Sequence, residues 1–336
     1  MGPQSTISLD AMSGDLGAEV VVRAAAASLE KHTGLELVLV GDREELSGLV
    51  TRIVGNEPRL RVVHATEVVS MTDAPKDAVR RKKDSSMRVA IDLVKSGEAH
   101  ACVSAGNTGA LMATAKFVLK MLPGIERPAI LGELPAIGGS LHMLDLGANT
   151  LGTAEQLFQF AVMGSIVASD IMDVDQPRIA LLNIGAEVTK GHDTVKDAAA
   201  LLNASSLNYV GFIEGSELFS GKADVVVTDG FTGNVALKTM EGTVGLVRHY
   251  VQRGFTRNWI SKLQALLAQT VLTRIGRQTD PRNYNGATLV GLNGIVIKSH
   301  GSADSYAFQH AIDTAVVEVT NGVPQQIGNL LQREAA

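Results

Sequence analysis

Cysteine is almost absent from this chain, since Cys102 is the only one among 336 residues. A single thiol excludes internal disulfides and zinc sites built from several thiolates, and it is typical of a protein of the reducing cytoplasm. Aromatic residues make up only 4% of the chain, which argues against stacking platforms for nucleic-acid bases. The net charge of −5 likewise argues against nucleic acid as a partner.

Several motifs of well-known enzyme classes are missing as well. No two glycines stand in G-x-G spacing, and there is no P-loop, no G-x-S-x-G and no H-E-x-x-H. Their absence disfavours nicotinamide enzymes, NTPases, serine hydrolases and zinc hydrolases. We therefore expect neither a cofactor nor a metal. No apolar run reaches the length of about 18 residues that a transmembrane helix needs, so we expect no membrane span.

What the sequence does contain is an alternation of short apolar strands with helical stretches. This alternation predicts βαβ units and a mostly parallel sheet that is covered by helices on both faces. No low-complexity linker divides the chain, so we expect a single α/β domain over residues 5–334, built either as one body or as two lobes around a cleft. The predicted strands cover 7–11, 35–41, 61–65, 100–104, 141–147, 178–185, 207–213, 223–229 and 294–301, and the predicted helices include 18–31, 86–95, 154–169, 194–202 and 305–320.

Glycine turns follow many of these strands. The stretches "VSAGNTGALMATAKF" (103–117) and "VTDGFTGNVALKTME" (227–241) both read as a strand, a small polar residue, a G-x-x-G turn and a helix. Such turns aim backbone N–H groups and the positive end of a helix dipole at one point, which favours anions. A turn into a helix also needs glycine and a polar cap for purely structural reasons. We expect six such turns to converge on one sheet edge, which indicates a phosphate-rich ligand; they lie at 10–17, 104–109, 146–152, 183–191, 229–234 and 299–305.

Six strings together resemble one family closely. They are "ISLDAMSGD", "RRKKDSSM", "SAGNTGALM", "LLNIGAE…KG", "VVVTDGFTGNVALKTMEG" and "VIKSHGSADS", and they stand in order between residues 7 and 330. The family is the phosphate acyltransferase of bacterial phospholipid synthesis. The resemblance implies transfer of a fatty acyl group from acyl carrier protein to inorganic phosphate. It also implies a homodimer with a three-layer α/β/α sandwich fold, similar to phosphotransacetylase and to isocitrate and isopropylmalate dehydrogenases.

The chain departs from this family pattern at one visible position. Ser13 stands where the family usually has the first of two glycines. If this residue needs a positive φ, serine costs up to about 1–2 kcal/mol.

The expected chemistry needs no nucleophile from the enzyme, because phosphate itself attacks the thioester. The enzyme must position phosphate and stabilise the oxyanion that develops. The resemblance points to Lys190 as the group that neutralises phosphate and to Asn234 as a donor to phosphate or oxyanion. Residue type alone favours a solvated lysine for Lys190 and a helix cap for Asn234, and it is the resemblance with the strand-end location that reverses this. We expect Cys102, which lies inside an apolar strand, to be buried and inert.

Other polar residues and glycines of the strand-end turns are candidates for phosphate and substrate binding. Each of them either lines the cleft or acts as a turn or cap residue, and Asp10 either contacts substrate or holds a neighbouring loop by hydrogen bonds. The candidates are Asp10, Ser104, Gly106, Asn107, Thr108, Gly109, Asp229, Gly230, Thr232, Gly233, His300, Gly301 and Ser302.

Two basic regions complete the set. In "RRKKDSSMR", residues Arg80, Arg81, Lys82 and Lys83 either dock an acidic carrier protein or are ordinary solvated surface. Residues 242–279 contain no Asp or Glu but six basic residues and a helical apolar stripe with the only tryptophan. This pattern is typical of a membrane-surface helix, and the alternative is a buried dimer interface. We expect the segment to protrude and touch anionic lipid; its candidate contacts are Arg253, Arg257, Trp259 and Lys262.

Taken with the resemblance, these features predict an enzyme that transfers a long-chain acyl group from acyl carrier protein to phosphate. It would work in the cytoplasm as a homodimer, in peripheral contact with the inner face of the membrane. Two alternatives remain at this point. One is a short-chain phosphotransacetylase that acts on acyl-CoA, and the other is a non-catalytic membrane scaffold for lipid enzymes.

Overall fold

Eleven strands pair into one sheet in the computed structural model, which describes residues 5–187 and 189–334. The strand order is β3-β2-β1-β4-β11-β10-β5-β6-β9-β7-β8. The strands are β1 (Ser5–Asp10), β2 (Leu35–Gly41), β3 (Leu60–His64), β4 (Ala101–Ser104), β5 (Ala129–Ala136), β6 (Gly139–Leu144), β7 (Ile179–Asn183), β8 (Tyr209–Glu214), β9 (Val225–Val227), β10 (Ala287–Val290) and β11 (Ile295–Lys298).

The structure describes twelve α-helices, most of which cover the two faces of this sheet. They are α1 (Ala18–Lys31), α2 (Arg43–Ile53), α3 (Pro75–Arg81), α4 (Ser86–Ser96), α5 (Thr108–Leu119), α6 (Ala154–Met172), α7 (Asp193–Ala204), α8 (Gly230–Thr256), α9 (Trp259–Leu267), α10 (Gln269–Gln278), α11 (Ser305–Asn321) and α12 (Val323–Glu334).

The alternation of side chains along the strands divides the core into two layers. In β4, Cys102 packs towards α4 and α5, whereas Ala101 and Val103 pack with residues of α1 and α11 on the opposite face. In β9, Val226 packs on the first face, and its neighbours pack with residues of α6 and α7 on the second. Because successive residues of a strand point to opposite faces, apolar runs of this kind require cover on both sides. The predicted three-layer arrangement with a mostly parallel sheet is confirmed.

Strand direction changes in the middle of the sheet. Strands β3, β2, β1, β4 and β11 are parallel to one another, as are β6, β9, β7 and β8. Between the two groups, β10 is antiparallel to β11 and to β5, and β5 is antiparallel to β6. The two parallel groups therefore run in opposite directions. The expectation that all six glycine turns meet at one edge is wrong, because three turns follow each group.

Candidate functional site

The first group of turns is organised around Asp10, at the end of β1. Asp10 lies opposite Ser104 of β4 and is completely buried. The Ser104 hydroxyl donates to Asp10 Oδ2 at 2.6 Å and accepts from the Gly106 amide at 3.1 Å. Burial raises the pKa of Asp10, and hydrogen bonds from Ser104 and other hydroxyls oppose that rise. Asp10 thus ties the turns after β1 and β4 together by hydrogen bonds, which is one of the two alternatives from the sequence.

Ser13 fits this turn without backbone strain. Among the described non-glycine residues, only Lys120 and Asp173 have a positive φ, while the neighbouring Gly14 has a φ of 98°. The Ser13 hydroxyl lies 3.3 Å from the Ser104 hydroxyl, so it joins the same buried cluster. The residue that requires glycine is Gly14, and the substitution at position 13 therefore leaves the turn geometry intact.

Lys298, at the end of β11, is a cation that the sequence reasoning missed. Its Nζ donates to the Ala105 carbonyl at 3.3 Å and to the Ser299 carbonyl. Burial lowers its pKa to about 8, and the carboxylates of Asp10 and Asp15 oppose that shift. The sequence signal that could have revealed Lys298 is its place at the end of the apolar string "IVIK". The importance of this lysine comes from its burial, which the sequence does not show. Lys298 supplies positive charge directly behind the turn that leads into α5.

The N-terminus of α5 is the better placed of the two glycine turns to receive an anion. Asn107 caps this helix, because its Oδ1 accepts a hydrogen bond from the Ala110 amide. Its Nδ2 donates a hydrogen bond to the Met71 carbonyl. Thr108 and Gly109 begin the helix, and its first turn contains no acidic residue. A neutral cap leaves the positive end of the helix dipole uncompensated. The side chain of Asn107 is therefore structural, while the helix end remains suited to an anionic group.

His300 lies at the rim beside this turn. Its Nδ1 is 3.0 Å from the Ser302 hydroxyl, and the carbonyl of Gly301 accepts from the Asp15 amide at 2.8 Å. Partial burial and the nearby Lys238 lower the pKa of His300, and Glu241 opposes this. Lys238 and Glu241 belong to α8, so the helix that follows β9 extends back to the first group of turns. The imidazole is thus kept neutral near pH 7, and it accepts or donates according to its tautomer.

The second group of turns is organised around Asp145, which follows β6 and was not singled out from the sequence. Its buried carboxylate accepts hydrogen bonds from four backbone amides and from the Asn149 side chain; the amides are those of Ile130, Gly147, Ala148 and Asn149. Burial raises the pKa of Asp145 and these donors oppose the rise. The carboxylate therefore fixes the 145–149 turn in place.

The glycines of "DGFTGN" let α8 begin in contact with that turn. A Cβ at Gly233 would collide with the Asp145 carbonyl oxygen, and the Gly230 amide donates to the Asn149 carbonyl at 2.8 Å. Only glycine permits so close an approach of two backbones. In the structure, Gly230 and Gly233 allow α8 to pack closely against the 145–149 turn.

Asp229 caps α8 and carries a negative charge at the helix end. Its carboxylate accepts from the Thr232 amide at 2.9 Å and from the Thr232 hydroxyl at 2.8 Å. Because an acidic cap compensates the helix dipole, this end attracts anions less than the α5 end does. Asn234 is exposed beyond the cap and faces Gly147. The amide of Asn234 is therefore available to a ligand.

Lys190 follows β7, the neighbour of β9 in the sheet. Its Nζ forms an ion pair with Glu187 at 2.9 Å, and about half of the side chain is exposed. The Lys190 carbonyl accepts from the Asn183 side chain at 3.1 Å, which holds the loop against β7. An exposed pair of this kind is worth about 0–1 kcal/mol, so an incoming phosphate can replace the carboxylate. Lys190 and Asn234 both follow strands of the same parallel group.

The basic run at 80–83 is less positive than its sequence suggests. Arg81 pairs with Asp77 at 3.4 Å, and Lys82 pairs with Asp73 at 2.6 Å. Arg80 and Lys83 are exposed and form no ion pair among the described residues. Half of the predicted charge cluster is thus neutralised by acids of the 73–77 region.

The segment from 242 to 279 is exposed along most of its length. It comprises the second half of α8 with α9 and α10, and no residue of α9 or α10 is buried. Arg253, Arg257 and Lys262 are exposed, and 75% of the Trp259 side chain is accessible. Among the described residues, no helix is both long and apolar enough to span a membrane. We call this segment the helical arm.

The only thiol is buried, as predicted. Cys102 is completely buried in β4, and burial strongly raises its pKa. A thiol that does not ionise near neutral pH is a poor nucleophile.

In the part of the chain that the structure describes, no three His, Cys, Asp or Glu side chains are grouped to hold a metal ion.

Comparison with known proteins identifies close relatives across the full length. A family model described as "Fatty acid synthesis protein" matches residues 5–326. A phosphate acyltransferase of Alkalilimnicola ehrlichii is 57% identical over 328 residues, which are 97% of this chain and 96% of the relative. A phosphate acyltransferase of Nitrosococcus oceani is 54% identical with the same coverage of both chains.

Solved structures with this fold are more distant in sequence. A phosphotransacetylase from Streptococcus pyogenes has a TM-score of 0.64 at 20% identity and covers 94% of both chains. A 4-hydroxythreonine-4-phosphate dehydrogenase from Klebsiella pneumoniae has a TM-score of 0.54 at 14% identity and covers 94% of this chain and 99% of that one. At these identities the similarity is one of fold.

Proposed function

This chain belongs to the fatty acid synthesis protein family, and we propose that it transfers a long-chain fatty acyl group from acyl carrier protein to inorganic phosphate. The observation that carries the proposal is 54–57% identity to phosphate acyltransferases over 97% of the chain. Acyl phosphate for phospholipid synthesis is the product. The site chemistry fits direct attack by phosphate, because the single thiol is buried and the exposed groups are amides and cations.

In this mechanism, phosphate replaces Glu187 as the partner of Lys190, which neutralises part of its charge. Asn234 donates a hydrogen bond to phosphate or to the oxyanion that forms when phosphate oxygen attacks the thioester carbonyl. The carbon–sulfur bond then breaks, and the carrier leaves as its thiolate. The α5 N-terminus with Lys298 behind it gives a second positive region, which we assign to the anionic groups of the carrier-bound substrate. We propose that the two parallel groups of strands form two lobes, with the substrates in the cleft between them.

The assay that tests this proposal follows the release of carrier thiol from palmitoyl acyl carrier protein. We expect release that depends on phosphate, with acyl phosphate as the second product, and we expect it to persist after exhaustive EDTA treatment because the donor set has no metal-ligand character. Acetyl-CoA should be a poor substrate. Thiol release that is independent of phosphate would contradict the proposal, and efficient use of acetyl-CoA would favour the short-chain alternative.

We further propose that the protein is a cytoplasmic homodimer whose helical arm attaches reversibly to the inner face of the membrane. The arm has six basic residues, no acidic residue and an exposed apolar stripe. Near an anionic surface each basic residue contributes about 1 kcal/mol, and burial of the apolar stripe adds to this. The product of the proposed reaction is a lipid intermediate, which such contact would deliver to the bilayer.

The variant Trp259→Glu/Leu263→Glu tests the arm. We expect it to lose flotation with phosphatidylcholine–phosphatidylglycerol liposomes, because both side chains are at least half exposed on the apolar stripe. Activity with soluble acyl carrier protein should be retained. The variant Ile137→Glu/Val210→Glu changes two exposed apolar residues outside the arm and serves as the control. If the arm variant still floats, or if sedimentation shows that it has become monomeric instead, the arm is a subunit interface and not a membrane anchor.

A further inference from the structure

A concave surface lies between α3 and α5. We call it the α3/α5 groove, and its volume is about 540 Å³. It is lined by Pro75, Lys76, Val79, Arg80, Ala113, Lys116, Phe117, Lys120 and Met121. Of the basic run at 80–83, only Arg80 lines the groove.

The charged residues of the α3/α5 groove are all basic. Lys76, Arg80, Lys116 and Lys120 line it, and no acidic residue of the described chain does so. None of these four side chains has an ion-pair partner among the described residues, in contrast to Arg81 and Lys82 nearby. Four unpaired cations around one concavity are unusual in a chain whose net charge is −5. The groove is therefore electrostatically complementary to an acidic surface.

The floor of the groove is apolar and centres on an aromatic ring. Phe117 is 53% exposed, whereas its neighbour Val118 is buried. The Lys120 ammonium lies 4.8 Å from the ring centroid, and the Arg88 guanidinium lies 5.6 Å from it. An exposed aromatic residue with cations around it has the composition of an interaction hot spot. The groove thus offers apolar contact at its centre and positive charge at its edge.

The groove also has a fixed relation to the candidate site. α5 begins at the glycine turn of the first group, and Phe117 lies eight residues after Gly109. At 1.5 Å per residue, this places the ring about 12 Å along the helix from the turn. Pro75, which lines the groove, also contacts the Gly109 backbone, since a Cβ at Gly109 would lie 3.0 Å from its ring. A partner in the groove would hold a flexible substrate-bearing arm within reach of the turn.

We propose that the α3/α5 groove is the docking surface for the acidic acyl carrier, with an apolar side chain of the carrier over Phe117 and its carboxylates over the four cations. This inference rests on the function proposed above. A bilayer suits the groove less well, because a flat surface cannot reach a concave floor, and the helical arm already offers a convex one. A second copy of the same groove is also excluded as occupant, since it would bring like charges together.

The charge reversal Lys116→Glu/Lys120→Glu tests the groove. We expect the KM for palmitoyl acyl carrier protein to rise about tenfold or more, while kcat at saturating carrier and the KM for phosphate stay unchanged. Lys76→Glu is a second, milder variant, because an acid is favourable in the first turn of a helix. Arg43→Glu/Arg333→Glu alters the charge equally at exposed positions outside the groove and serves as the control.

A carrier-free substrate separates this inference from the proposed function. Wild type and groove variants should cleave palmitoyl pantetheine equally, because it lacks the acidic carrier. If wild type forms acyl phosphate from neither thioester, the proposed function fails. If wild type is active and the groove variants keep the wild-type KM for the carrier, the docking inference is wrong while the proposed function stands. The docking inference is also overturned if these variants lose phosphatidylglycerol vesicle binding, or change oligomeric state, without a change in that KM.

Discussion

Replacing Asn234 or Lys190 by alanine is expected to slow turnover by about 100-fold or more, the effect of removing one preorganised donor from a developing oxyanion. Asn234 is exposed in the first turns of α8, and its amide faces the glycine of the 145–149 turn. Lys190 follows a strand of the same parallel group, and among the described residues its ion-pair partner is Glu187. Lys190→Ala should in addition raise the KM for phosphate, whereas Asn234→Ala should act mainly on kcat.

Both variants should remain folded, because exposed side chains outside the core contribute little to stability. Lys196→Ala and Asn203→Ala remove the same groups at positions of α7 that are not site candidates, and should leave turnover unchanged. Turnover is measured as phosphate-dependent release of carrier thiol, with thermal melting recorded for each variant. A variant that melts like wild type and retains near-wild-type turnover would show that its residue has no part in the chemistry.

The parallel parts of the fold could be predicted because their signals are local. β4 and α5 illustrate this: "ACVS" is an apolar strand, "AGN" is a glycine turn with a cap, and an apolar helix follows. Each feature acts within a few residues of the chain. The same holds for Cys102, whose burial follows from its place in an apolar strand.

The antiparallel centre of the sheet was missed because its signals are weak or depend on partners far along the chain. β10 has only four residues, and β5 contains Gly132 and Pro135, which normally argue against a strand. Gly132 is needed there because the Leu146 side chain occupies the space of a Cβ. The Gly138–Gly139 pair between two apolar runs was the signal that could have revealed the β5–β6 hairpin. This hairpin is what reverses strand direction and separates the turns into two groups.

Asp145 and Lys298 were missed for a related reason. Each is a charged residue at the end of an apolar strand, and its importance comes from the neighbours that the sheet topology supplies. The Asp145 carboxylate accepts a hydrogen bond from the amide of Ile130, fifteen residues earlier. Lys298 lies near Asp10, which belongs to the opposite end of the chain. Spacing in the sequence cannot predict such pairs, because they depend on strand order.

The second large expected effect is on the stability of the protein, and it comes from the protonation of Glu318. This residue of α11 is completely buried, accepts a hydrogen bond from the Thr288 hydroxyl of β10, and has no partner for Oε2 among the described residues. Burial raises its pKa to about 8, the Thr288 bond opposes this, and the charge of Asp170 adds to it. The folded protein therefore holds a proton on Glu318 between about pH 4.5 and pH 8, where the unfolded chain has lost it.

The sign of the pH dependence follows from this difference. Because the folded state binds more protons, the free energy of unfolding falls as pH rises from about 4.5 to about 8 and is then constant for this group. Glu318→Gln removes the ionisation and keeps the acceptor for Thr288. At about 1.4 kcal/mol per pKa unit, the variant should exceed wild type by about 3 kcal/mol at pH 7, and the two should converge near pH 4.5.

Urea unfolding of wild type and Glu318→Gln at pH 5, 7 and 8.5 measures this difference directly, and the exposed Glu30→Gln is the matched control. Taking the difference between the two proteins at each pH cancels the titration of all groups that they share. A gap that widens from pH 5 to pH 8.5 is expected for Glu318 and none for Glu30. A constant gap would mean that the substitution acts through packing alone, and that Glu318 does not carry a proton in the folded protein at neutral pH.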